Sequence, residues 1–212
     1  MVYTPAHTFI GCGRHFSLDL NHDGFNDFTI KNTYRRNSTY TRCRLEIGPD
    51  GGGGIAYNAN NGYLANVFQK GQTIDFGNPP PRGEEIMGEV FALYRQGHYT
   101  YGYWINVKDG CLGLAFRIDG QIHFGWARLD VRTTGLRIRT LLTGYAYETQ
   151  PNTPIIAGDT GGKSDADEEG QTEAQTEPMS ETPPVLGARP AASLGALSLG
   201  APGLAIWRRR GF

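Results

Sequence analysis

An all-β chain with antiparallel strands packed as a β-sandwich is the fold that three features of this sequence predict. Short polar–apolar alternations recur along residues 1–158, and period two is the mark of a half-buried strand. Turn dipeptides such as Asp23-Gly24, Asn61-Gly62, Asp109-Gly110 and Asp119-Gly120 punctuate those alternations. The chain has 30 Gly, 11 Tyr and 10 Phe in 212 residues, a turn-rich and aromatic balance unlike that of a helical bundle.

The elements follow in order. His15–Leu20, Asp27–Lys31 and Arg42–Ile47 alternate cleanly and predict three strands. Strand-like runs continue at Ile55–Asn58, Leu64–Phe68 and Thr73–Phe76. Glu84–Tyr94 is the one stretch where a short helix fits the spacing. Asp109-Gly110 and Asp119-Gly120 read as two-residue hairpin turns joining Tyr101–Lys108, Cys111–Ile118 and Gln121–Val131 into a meander. Leu136–Tyr147 closes the set. In Gln121–Val131 both faces carry large residues, so the pattern names no inner face. A sandwich of about 150 residues buries a sizeable core, and jelly-roll connectivity is one option for it.

Charge divides the chain into three parts. Residues 1–158 carry net +2, residues 159–190 net −6, and residues 191–212 net +3 through Arg208, Arg209 and Arg210. The overall net charge of −1 argues against a nucleic-acid partner, which needs a basic excess. The acidic segment holds only Ala166, Ala174 and Met179 as apolar residues up to Pro184. Such a stretch buries too little to offset chain entropy and is expected to be a disordered linker. After it, Ala191–Trp207 is 17 uncharged, mostly small or apolar residues closed by the three arginines. As a helix it would approach the roughly 30 Å of a bilayer core, with the arginines on the cytoplasmic side. A core helix of the main domain is the competing account of that segment.

One motif carries chemistry. Asp19-Leu20-Asn21-His22-Asp23-Gly24-Phe25-Asn26-Asp27 has the form D-x-N-x-D-G-x-x-D. Hard oxygens at alternate positions, followed by a glycine turn and a further acid, suit Ca²⁺. Asp19, Asn21 and Asp23 would ligate through side chains, Phe25 through its carbonyl, and Asp27 directly or through water. The twelfth position holds Ile30 rather than an acid, and the flanks are strand-like, so this is no EF-hand. The competing account is a metal-free turn, because Asp, Asn and Gly also serve turning alone. Any bound Ca²⁺ would be structural.

Other features point to no reaction. Gly51–Gly54 lacks a following Lys-Ser/Thr and reads as a flexible tip; Pro79–Pro81 reads as a stiff loop. His123 reads as a packed strand histidine, and Glu84, Glu85 and Glu89 as solvated surface. Tyr99, Tyr101, Tyr103 and Trp104 fit either a sugar-binding strip or core, with core favoured. Cys12, Cys43 and Cys111 allow one bridge and leave one thiol. Met1–His7 has neither a basic n-region nor an apolar h-region, so an exported form is expected to begin upstream of Met1.

The tail Ser193–Arg209 matches S-L-G-x-L-x-L-G-A-x-G-L-x-x-W-R-R. It resembles the carboxyl-terminal sorting signal of bacterial exported proteins of the PEP-CTERM type. Phe116–Leu129, Gly144–Glu148 and Pro151–Gly158 resemble stretches of the β-domains associated with such tails. The Pro-Glu-Pro tripeptide is absent, and Pro183-Pro184-Val185-Leu186 stands near its place. The resemblance implies export, transient membrane anchoring through the tail and processing by an exosortase-like enzyme. It implies a cell-surface or matrix protein and carries over no catalytic residue. The expected function is therefore surface display of a non-catalytic sandwich. A carbohydrate-binding or glycan-cleaving module, with polysaccharide or matrix as partner, is the alternative. A soluble cytoplasmic protein, as the bare amino terminus suggests, is the third account.

Overall fold

The computed structural model describes residues 1–57, 64–75 and 83–162. All of the regular structure in those residues is β. The acidic linker from residue 163 onward, the hydrophobic segment 191–212, the Asn61-Gly62 turn and Pro79–Pro81 lie outside the described residues.

Two five-stranded antiparallel sheets hold most of the chain. The first has the order β1-β11-β10-β9-β5, with β1 Val2–Ile10, β5 Gly54–Ile55, β9 Gly110–Ile118, β10 Gln121–Thr134 and β11 Arg137–Tyr147. The second has the order β2-β3-β4-β7-β8, with β2 Arg14–Leu18, β3 Phe28–Arg36, β4 Tyr40–Pro49, β7 Glu85–Leu93 and β8 Gly97–Tyr101. A two-stranded ribbon pairs β6 Thr73–Ile74 with β12 Ile155–Ile156. Consecutive strands β2-β3-β4 and β9-β10-β11 lie side by side, a meander connectivity rather than the paired Greek keys of a jelly roll.

The alternations in β3 and β4 place Phe28, Ile30, Leu45 and Ile47 on one face of the second sheet, all fully buried. They pack in one core with Leu112, Leu114, Ala127, Leu129 and Val131 of the first sheet, giving a sandwich-like arrangement. The opposite face of the first sheet is covered as well. Ile122, Phe124 and Trp126 cluster there with Ile74, Ile155 and Tyr3. That explains why β10 shows no single inner face in sequence: both of its faces are buried.

Several expectations are corrected. The Asp119-Gly120 hairpin stands, with φ of 50° and 78° at the two turn residues as a type I′ turn requires. The Asp109-Gly110 hairpin does not. β8 ends at Tyr101 and belongs to the second sheet beside β7, and the turn that follows it spans residues 103–106, with Asn106 at φ 58°. Gly110 instead permits close approach, since a Cβ there would meet Val107 Cγ1 at 2.5 Å. Within Glu84–Tyr94, residues Glu85–Leu93 form strand β7, not a helix, between β4 and β8. The Gly51–Gly54 run ends inside the protein: Gly53 and Gly54 are buried, and Gly54 pairs with Ala115 of β9. Glu85 is not solvated surface either; it is buried, and burial raises its carboxyl above the ordinary range. Cys12 and Cys43 form a disulfide across a separation of 31 residues, and Cys111 is a buried free thiol pushed up to about 11 by that burial.

Candidate functional site

The loop between β2 and β3 holds all five residues of the D-x-N-x-D-G-x-x-D motif. Leu18 and Phe28, the last pair of the β2–β3 ladder, are buried and fix the two ends of the loop. Asp19 accepts from the backbone N–H of Asp23 at 3.3 Å and of Gly24 at 2.9 Å. Asp23 accepts from Phe25 N–H at 2.8 Å and from Asn21 Nδ2 at 2.9 Å. Asp27 accepts from Leu20 N–H at 2.8 Å. His22, at φ 59°, lies within hydrogen-bond distance of Thr4 Oγ1 and Tyr145 Oη, which ties the loop to the first sheet.

These bonds organise a tight turn, yet they leave two electrostatic costs. Asn21 Oδ1 is buried without a hydrogen-bond partner. Asp27 is pushed up to about 6, chiefly by burial, with the charges of Asp19, Asp23 and Asp50 adding to the shift. Asp50 arrives from the far end of the β3–β4 hairpin, where its N–H donates to the Asp27 carbonyl at 2.8 Å and its carboxylate accepts from Thr29 Oγ1 at 2.5 Å. No spacing in the sequence marks Asp50, because only the strand register brings it near Asp27. Among the described residues, no three His, Cys, Asp or Glu side chains stand as a ready-made metal cluster. The donor set itself, three carboxylates, an amide oxygen and the Phe25 carbonyl, consists of the hard oxygens that Ca²⁺ takes. Phe25 is 77% exposed, so its side chain contributes nothing to the fold there.

The aromatic run splits. Trp104 is fully buried and donates its indole N–H to Ala65 O at 3.2 Å. Tyr99 and Tyr101, by contrast, are 55% and 53% exposed on β8, and Tyr103 is exposed beyond it. Tyr99 lies directly opposite Phe91 of β7, whose ring is 5.5 Å from that of Tyr40. The outer face of the second sheet therefore carries an aromatic group that the core does not use. Cations share this face. Arg44 is paired with Glu46 at 3.1 Å and with Glu89, and Lys31 with Glu84 at 2.9 Å. His123 is buried in β10, with Nδ1 2.8 Å from Glu148 O, which is a packing role.

No protein-family model matches the chain, and no curated protein or solved structure matches it.

Proposed function

We propose that the chain is an exported, surface-displayed β-sandwich protein without catalytic activity, carrying a structural Ca²⁺ loop and a carboxyl-terminal membrane and sorting anchor. The Cys12–Cys43 disulfide is the observation that carries this reading. Bridges of this kind persist in oxidising compartments and are rare where glutathione keeps thiols reduced. The net −6 linker and the uncharged segment ending in Arg208-Arg209-Arg210 support the same address. The Asp19, Asn21, Asp23, Phe25 and Asp27 oxygens would hold the cation, whose role is to relieve repulsion among the acids and fix the β2–β3 loop.

Membrane fractionation of cells producing the full chain, beside a chain ending at residue 190, tests the anchor. The full chain should sediment with membranes and the shortened one should not. Identical partitioning of the two forms would remove the anchor from the account.

A second reading, carbohydrate binding on the same scaffold, is favoured by the exposed Tyr99 and Tyr101. Aromatic rings exposed on a sheet face present flat apolar surface together with a polar tip, a combination enriched at recognition surfaces.

A further inference from the structure

We propose that the outer face of the second sheet binds an acidic polysaccharide in which carboxylated sugars are separated by neutral ones, with Arg35 and Arg42 holding the carboxylate and Phe91 and Tyr99 stacking on the neighbouring ring. The proposal rests on the carbohydrate-binding reading and names the class of glycan. Strand register places the four residues in one row. Arg35 of β3 lies opposite Arg42 of β4, Arg42 opposite Phe91 of β7, and Phe91 opposite Tyr99 of β8. With strands about 4.8 Å apart the row is roughly 14 Å long. It is cationic at one end and aromatic at the other.

Charge selects the occupant. Like charges directly opposite across a strand pair destabilise a sheet. Arg44 and Lys31, on the same face, are neutralised by Glu46, Glu89 and Glu84. Arg35 and Arg42 have no carboxylate within salt-bridge distance among the described residues. Arg42 Nε is in addition buried with no hydrogen-bond acceptor. A guanidinium whose Nε lacks an acceptor, with a second arginine opposite it on one neighbouring strand and Phe91 opposite it on the other, is complementary to a planar carboxylate carried on an apolar-faced ring. A uronic acid next to a neutral sugar supplies both parts. A single-stranded nucleic acid offers anions and stacking surfaces too. The disulfide favours the polysaccharide, because it belongs to a compartment where glycans are the abundant polyanions.

The test uses the full chain and a hyaluronan decasaccharide, which carries one carboxylate per disaccharide, beside cellohexaose and oligo-dT. Titration calorimetry at low salt should show hyaluronan binding. Tyr99→Ala should weaken it at least tenfold. Arg42→Gln should weaken it at least fivefold and flatten its salt dependence, with melting temperatures of both variants near that of the parent. Binding of cellohexaose without hyaluronan would overturn the acidic class while leaving the carbohydrate reading standing. No binding of either glycan would overturn both. Tighter binding of oligo-dT, or hyaluronan affinity unchanged in both variants, would overturn the proposed site.

Discussion

Replacing Cys12 and Cys43 together by alanine is expected to lower the unfolding free energy by about 3–4 kcal/mol, the loop-closure value for the 31-residue separation they bridge. The position of the bridge supports a figure near that value. Cys12 sits in the turn that carries the chain from β1 of the first sheet to β2 of the second, and Cys43 lies fully buried in β4. The link therefore holds the crossover between sheets against the core of the second sheet. Without it, the unfolded chain regains the freedom of a loop that spans β2, β3 and the start of β4. For a domain of this size the loss corresponds to roughly 10 °C in Tm. Reductant should produce a similar fall in the parent and leave the double variant unchanged. Equal melting of parent and variant under oxidising conditions would show that the bridge adds no stability.

The second large effect concerns Ca²⁺ and pH together. Asp27 titrates at about 6 in the fold, above the ordinary aspartate value of about 3.9. A carboxyl raised in this way stabilises the fold while protonated. That contribution is complete below about pH 4 and is lost as pH rises through about 6. The metal-free loop is therefore least favourable at neutral pH, where an ionised Asp27 meets the charges of Asp19, Asp23 and Asp50. A bound Ca²⁺ would turn that repulsion into ligation, and protons would compete with it. With an affinity in the 10⁻⁴–10⁻³ M range of extracellular modules, about 5 mM Ca²⁺ would add about 1–2 kcal/mol, or roughly 3–6 °C. Calorimetric scans at about pH 7.5 should show that rise relative to chelator, and scans at about pH 5 should show it nearly gone. Asp19→Ala combined with Asp23→Ala should abolish it at both. Equal melting of the parent with Ca²⁺ and with chelator at about pH 7.5 would return the loop to a plain turn.

How much of this was legible in sequence depends on whether the cause was local. β2, β3 and β4 were readable because each buries one face, so Ile30 and Leu45 alternate with Lys31 and Arg44. The Asp119-Gly120 turn was readable because its residues alone satisfy two positive φ angles. β7 was not. Its ladder with β4 steps from Leu45–Gly88 to Glu46–Ile86, leaving Met87 as an extra residue. The bulge shifts the parity of the apolar positions and makes a strand imitate helical spacing. Gly110 misled for a different reason, since the glycine answers to crowding by Val107 and not to a turn. The acidic loop was visible because its five residues lie within nine positions. Asp50 and the Arg35–Arg42 pair were not, because strand register brings them to their neighbours and no spacing encodes it.

The most direct test of export is the number of free thiols in protein acid-trapped from the cells that make it and then labelled under denaturing conditions with a maleimide mass tag. The account predicts one labelled cysteine, Cys111, with Cys12 and Cys43 joined. Three labelled cysteines would place the chain in a reducing compartment and contradict surface display.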